Sequence, residues 1–374
     1  MVYDVCFLLL QSIAHDARTL NLARTLVKNG KSVLLLGIGT ADDCAHLALE
    51  GLIFIPILPP TPLSKLFLRW MKFYVFLFFK RNEFCSRIYC AEDVFTLPMA
   101  VMLASKFNSK VIYDSREIFS ALASNHSRPL RQKIITLIEK KYVKNVTRMF
   151  TSGELDSEYL STYLSIPTPV VIMNVPPFST PNHSNLLRDK YSIPKNSRIL
   201  IYQGWIAEGR GIIEVVKALQ HLPEMVLCLV GDGEFQTVVL ERARQEHVEN
   251  RVIFCGKVPY DHLPLLTASA DAGICFIEPI SLSYSFALPN KLFEYCMAGI
   301  PTLVSDLPAM RRVLEEFPIG ILVDPKATSI LIAKSIRELF DEQFQLKFHE
   351  IQTTAARNYC WENQEHKVLD IFTS

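Results

Sequence analysis

Three short clusters in the second half of the chain carry residue types able to hold an anionic ligand, and each follows a strand-like apolar run. The first runs Gln203, Gly204, Trp205, Ile206, Ala207, Glu208, Gly209, Arg210, Gly211 and opens a helical segment. Glycines such as Gly204 and Gly209 let a backbone come close to a ligand. A helix N-terminus favours an anion, and the planar fork of Arg210 grips phosphate oxygens. Such a turn is common, so alone it decides little. The second cluster, Gly231-Asp232-Gly233 after Met225–Val230, reads equally as a ligand loop or as a turn with an Asp cap. The third runs from Tyr284 through Pro289, Asn290, Lys291, Leu292 and Glu294 to Gly299 and Pro301. Asn290 is expected to be the N-cap of a helix, which sets Lys291 in its first turn. Lys291 and Glu294, three apart, then share a face. That offers a cation and amides to a diphosphate, and a carboxylate one turn on to ribose hydroxyls; a surface Lys–Glu pair is the alternative. Convergence of all three clusters on one sheet edge favours the ligand site.

The elements that must position these residues alternate along the chain. In the first half strands are expected at Asp4–Leu10, Ser32–Gly37, Ile53–Leu58, Arg87–Cys90, Lys110–Tyr113, Arg148–Ser152 and Val170–Met173. Helices are expected near 16–29, 62–81, 95–106, 129–146 and 154–163. Residues 174–197 are rich in Pro, Ser and Asn, the texture of a linker. Alternation then restarts with strands at Arg198–Tyr202, Met225–Val230, Arg251–Cys255, Ala272–Ile277, Thr302–Ser305 and Gly320–Val323, followed by a helical tail. The fold class expected is α/β: two Rossmann-like, doubly wound parallel-sheet domains facing across a cleft. The domains would cover 1–185 and 186–355, with 356–374 a helix crossing back to the first. Ligands of such sheets bind at the carboxyl ends of strands, which is where the three clusters stand.

The run QGWIAEGRG, then LVGDGEF, VIFCGKV and LPNKLFEYCMAGIPTLVSD, resembles the donor domain of retaining glycosyltransferases of family 4, which have the GT-B architecture. DARTLNLARTLVKNGKSVLLL, AEDVFTLPMA and VIYDSREIF resemble their first domain, so the likeness spans nearly the whole chain. The resemblance implies transfer of a sugar from a nucleoside-diphosphate sugar to a saccharide or lipid-linked acceptor, with retention, as in polysaccharide synthesis. By it Arg210 matches the diphosphate-binding cation and Glu294 the second Glu of a Glu-x7-Glu motif that holds the donor ribose. Gly204, Gly209, Gly231, Gly233, Val258, Tyr284, Pro289, Asn290 and Leu292 would complete the donor site. The chain departs from the pattern twice. Phe286 stands where the first Glu belongs, and Trp205 where an Arg is usual. Lys291 is expected to restore the lost charge.

On the acceptor side the resemblance points to three groups. His15, Asp16 and Arg18 follow the first strand without the glycine-rich loop of many relatives, and a capped helix start accounts for them equally well. Glu92 and Asp93 follow the strand Arg87–Cys90. Asp114-Ser115-Arg116-Glu117 resembles an Asp-x-His-Glu motif with Arg116 in place of histidine. Both acidic pairs are expected at the cleft mouth, and Glu117 is the residue expected to position the acceptor hydroxyl. Arg210, Lys291 and Glu117 thus form the expected catalytic set. No Asp-x-Asp occurs, so no metal or other cofactor is expected. A sugar-nucleotide epimerase and a catalytically silent nucleotide-binding homologue are the competing readings.

Composition bounds the rest. The 374 residues are 49% hydrophobic and 21% charged, a globular balance with room for two domains. A net charge of +1 gives no argument for nucleic acid. The halves differ: residues 1–185 hold 20 Lys/Arg and 14 Asp/Glu, the remainder 19 and 24. Nine cysteines without a Cys-x-x-Cys pair fit a reducing, cytoplasmic setting. The stretch Leu66–Phe79 is almost wholly apolar and aromatic, flanked by Lys65, Lys80 and Arg81 with Arg69 and Lys72 inside. It is too short to span a bilayer. Two readings stand: an interfacial helix with snorkelling cations, giving peripheral membrane contact through 65–81 at the inner face, or a core-facing crossover helix.

Overall fold

The computed structural model describes residues 2–13, 16–59, 66–122 and 128–373. They form two units: residues 1–173 with 364–374, and residues 174–363. Each is an α/β layer structure around one parallel sheet.

The first unit has seven strands: β1 (Tyr3–Ser12), β2 (Val33–Ile38), β3 (Ile53–Leu58), β4 (Ser86–Ala91), β5 (Lys110–Ser115), β6 (Arg148–Thr151) and β7 (Val170–Val171). Their order is β3-β2-β1-β4-β5-β6-β7, parallel throughout. β2 is buried along its whole length, as the unbroken run Val-Leu-Leu-Leu-Gly-Ile requires of a strand covered on both faces. The chain winds outward from β1 to β3 and then crosses to the other side of β1, so the switch point lies between β1 and β4. The helix Leu66–Lys80 makes that crossing. Phe73 and Leu77 are buried with Leu97, Leu103 and Tyr113 in one cluster. Arg69, which would snorkel in the interfacial reading, is buried, as in the crossover reading, and donates to the Leu10 carbonyl at 3.0 Å. No helix among the described residues is long and apolar enough to cross a membrane.

The second unit has β8 (Arg198–Gln203), β9 (Met225–Val230), β10 (Val252–Gly256), β11 (Ala272–Cys275), β12 (Thr302–Ser305) and β13 (Gly320–Val323). The order β10-β9-β8-β11-β12-β13 is again parallel and puts the switch between β8 and β11. Its core is mainly aliphatic, with Leu200, Leu227, Leu229, Ile274 and Leu303 fully or almost fully buried beside Tyr202 and Phe276.

The segment 174–185, expected in the first domain, groups with the second unit: Ser179 N–H reaches the Met297 sulfur and Pro181 packs on Gly299. The stretch read as a linker contains the short helix Leu186–Tyr191. At the other end residues 356–363 stay with the second unit, where Trp361 N–H donates to Pro176 O at 2.9 Å. Only the helix Glu365–Thr373 belongs to the first unit. Phe372 sets its ring 5.6 Å from Phe7 and 6.2 Å from Phe150.

Candidate functional site

In the second unit the three glycine-bearing clusters stand at the carboxyl ends of β8, β9 and β11, beside the switch point. The first two meet backbone to backbone. Ile206 N–H donates to Asp232 O at 2.8 Å, and Gly204 N–H to Val230 O at 2.9 Å. A β-carbon on Gly231, whose φ is +140°, would fall 2.0 Å from the Gly204 carbonyl oxygen. Gly231 and Gly233 therefore serve this loop-to-loop approach, a demand invisible in their spacing. Gly209 packs on Ile280 and Tyr284, and the Arg210 guanidinium carbon lies 4.6 Å from the centroid of the Tyr284 ring. The Arg210 Nε is buried with no hydrogen-bond partner.

The helix Asn290–Met297 starts one residue earlier than the expected cap implies. Pro289, with φ −78° and ψ 143°, is the N-cap, Asn290 is the first helical residue, and no side chain caps the tip. Lys291 keeps its place in the first turn. It is 8% exposed, which removes the surface-pair alternative. Its ammonium lies over the Tyr202 ring, 3.7 Å from the centroid, beneath the place where a β-carbon on Gly204 would be. Burial, and then the neighbouring Arg210 cation, push the Lys291 pKa down to about 7. Among the described residues neither Arg210 nor Lys291 forms a salt bridge.

Glu294 stands one turn further along the helix. It accepts a hydrogen bond from the Gln203 amide, whose own carbonyl accepts from Thr267 Oγ1 at 2.8 Å. Burial raises the Glu294 pKa, against the Gln203 bond and the Lys291 charge. Gln203 and Thr267 thus fix the carboxylate, and Tyr202 fixes the ammonium. None of these roles came from motif reading. A polar Gln closing the apolar run of β8 was the available signal. At the rim Trp205 is exposed, with the Lys257 ammonium 5.9 Å from its ring centroid and ion-paired to Asp232 at 3.3 Å. Val258 is half-buried beside Lys257, while the Leu292 side chain lies in the core, so only its backbone is available.

The acceptor-side candidates of the first unit form a closed ionic network instead of an open carboxylate pair. Arg18 grips Asp114 with two bonds of 2.8 and 2.9 Å and donates to Ile172 O at 2.7 Å. Arg116 bonds both Asp16 oxygens at 2.9 and 2.8 Å, reaches Asp114 at 3.2 Å and pairs with Glu92. Asp114 is wholly buried, so it does not stand at an open mouth as expected; two arginines neutralise it within the fold. Asp93 is buried too and caps the following turn through Thr96 N–H at 2.7 Å, with burial lifting its pKa to about 6. Glu117 is the exposed member of its motif. Its charge, after burial, raises the pKa of the neighbouring Asp156 to about 7. His15 lies outside the described residues.

Comparison with known proteins follows the same division. Residues 184–359 match the profile of the family described as Glycosyl transferases group 1. N-acetyl-alpha-D-glucosaminyl L-malate synthase of Bacillus anthracis is 27% identical over 167 residues, 44% of this chain and 42% of that protein. A glycosyl transferase assigned to colanic acid biosynthesis in Escherichia coli K12 is 26% identical over 152 residues, 39% and 37% of the two chains. The chain therefore spans about two fifths of the length of these curated relatives. Among solved structures, Anabaena Alr3699/HepE in complex with UDP and glucose superposes with a TM-score of 0.77 at 14% identity, covering 100% of both chains. The expected fold class is met: two parallel-sheet α/β units of the kind found in GT-B glycosyltransferases.

Proposed function

We propose that the chain, whose residues 184–359 match the family described as Glycosyl transferases group 1, transfers a sugar from a nucleoside-diphosphate sugar to a saccharide or lipid-linked acceptor in cell-surface polysaccharide synthesis. The observation that carries this reading is that the basic side chains of Arg210 and Lys291, neither held by a salt bridge among the described residues, lie near enough for Arg210 to act on the Lys291 charge, with Lys291 in the first turn of a helix that no side chain caps. Two like charges held close are costly unless an anion joins them, and a diphosphate is an anion of matching size and charge. The named ligands of the HepE structures, UDP and glucose, support a nucleotide-sugar donor.

As the sugar–diphosphate bond breaks, positive charge develops on the sugar ring and negative charge on the departing phosphate. Arg210 and Lys291 stabilise that phosphate where its charge grows, with no metal required. Glu294, oriented by Gln203, accepts hydrogen bonds from the ribose hydroxyls. Glu117 orients the acceptor hydroxyl, and transfer proceeds with retention. The enzyme acts in the cytoplasm, at the inner membrane face.

The first test is thermal stabilisation of the purified protein by UDP, GDP and their sugars, since a ligand of the native state raises apparent stability by mass action. Product analysis with and without acceptor follows. Turnover of donor alone into an isomeric donor would replace transfer by epimerisation. Nucleotide binding with neither hydrolysis nor transfer would leave a silent homologue, the outcome that Phe286 in place of the first Glu favours.

A further inference from the structure

The helix Leu66–Lys80 buries one side and leaves another bare. Its inner side is tied down: the Trp70 indole and the Tyr74 hydroxyl both donate to Phe95 O, at 3.0 and 2.9 Å. On the outer side Met71, Val75 and Phe79, four apart, are exposed, Phe79 by 77%. The helix Pro129–Tyr142 repeats the pattern. Ile135 and Glu139 are buried, while Leu130, Ile134 and Leu137 form an outward stripe, Leu130 exposed by 72%.

The two helices flank one turn of the first unit. The Phe95 ring packs edge-on against Phe119 at 6.4 Å, in a cluster that Ile135 and Ile138 of the second helix share. Tyr142 of that helix lies close enough to Tyr74 of the first to bear on its ionisation. Lysine and arginine predominate around the stripes. Residues 128–144 hold six Lys/Arg and a single acid, Glu139, which is buried and accepts the Tyr113 hydroxyl at 2.7 Å. The first helix adds Lys72, and Arg81 just beyond its end stacks on Phe78 at 4.2 Å, while Lys80 is ion-paired to Glu83 at 2.7 Å.

Apolar side chains projecting through a layer of lysine and arginine fit acyl chains below and lipid phosphates at the level of the cations. We propose that these two helix faces form one docking surface for an anionic bilayer, with both helices lying in its interface. The stripe on Pro129–Tyr142 is the new element, since its sequence stands out only once the helix is oriented. The proposal extends the transfer reading by bringing the first unit to a membrane-borne acceptor, but it stands on a surface the donor chemistry does not use.

The test floats the full-length protein with vesicles of phosphatidylcholine alone and with vesicles of equal phosphatidylcholine and phosphatidylglycerol. Binding to the anionic vesicles only, weakened by salt, is expected. The triple substitution Leu130→Ser, Ile134→Ser, Leu137→Ser should lower it at least about tenfold, from the lost apolar burial. Val238→Ser and Leu346→Ser, exposed positions of the second unit, should leave it unchanged. Equal binding to both vesicles, no binding, or a triple variant that floats like the parent overturns the proposal. So does a parent that ignores vesicles but forms a dimer that the triple substitution abolishes, which makes a second copy the occupant. Donor turnover with a soluble acceptor, measured on the same samples, reports separately on the transfer reading.

Discussion

The Lys291 ammonium rests 3.7 Å from the centre of the Tyr202 ring, held there without a carboxylate in salt-bridge contact. An aromatic face stabilises a cation by about 1–2 kcal/mol when water is excluded, less than a paired carboxylate of good geometry provides. The side chain is therefore placed without a counter-ion among the described residues. Arg210, seated on Tyr284, repeats the device. Replacing either cation by alanine should cut turnover by about 10²-fold, the scale of one lost charge-stabilising donor. Steady-state rates for Lys291→Ala and Arg210→Ala check this. Two variants with parental rates would end the donor-site assignment.

The depressed Lys291 pKa, about 7, gives a pH signature. Above pH 7 the free protein carries this side chain largely neutral, whereas a bound diphosphate favours the charged form. Binding UDP at pH 8 should then take up a fraction of a proton, and affinity should fall as pH rises, by at most about tenfold per unit. Between pH 7 and 10.5 the unfolded chain binds this proton and the native one does not, so the group's contribution to stability falls as pH is lowered through that window. Calorimetry in two buffers of different ionisation enthalpy measures the uptake. Lys291→Arg, charged throughout, should flatten the profile. An affinity that climbs from pH 7 to 9 would contradict the arrangement.

How much of this was legible beforehand depends on whether the determinant is local. β2 was legible because an unbroken apolar hexapeptide has few other fates. The helix Ala41–Leu49 escaped notice because only Leu47 is buried, so it has no apolar stripe; its real signature is the capping box of Thr40 and Asp43. That Lys291 and Glu294 share a helix was legible because they lie three residues apart, whereas their supports, Tyr202 and Gln203, come from a strand about ninety residues away. The same limit hid the ionic network: Arg18 and Asp114 are 96 residues apart and meet only because β1, β4 and β5 are successive in the sheet.

That network should be structural. Arg18 is 2% exposed and Asp114 wholly buried, so Arg18→Ala leaves a carboxylate without its best partner in the interior. The expected loss of stability is about 3–5 kcal/mol, the range for breaking one side of a buried pair. Arg18→Met with Asp114→Leu, which removes both charges, should cost less than the single change. Denaturant melts compare the two. A single variant within about 0.5 kcal/mol of the parent, as for an ordinary surface change, would show that the pair contributes nothing.

The tight backbone approach between Gly231 and Gly204 offers a sharp steric test. Gly231 has φ +140°, and an added β-carbon would sit 2.0 Å from the Gly204 carbonyl oxygen, far inside contact distance. Backbone oxygen cannot swing aside as a side chain does, so Gly231→Ala must push the Gly204 loop away from β9. The cost is about 2–3 kcal/mol in steric and conformational strain. Because Gly204 also lies against the Lys291 ammonium, the same shift opens the cation pocket. Stability and nucleotide affinity should fall together in Gly231→Ala. Gly256→Ala at the neighbouring β10 end, where no atom stands within 4 Å of the added carbon, should pay only the penalty for its positive φ and keep its affinity. Measuring UDP binding on both folded variants separates the two. If Gly231→Ala binds UDP as the parent does, the loop contact is not what shapes the pocket.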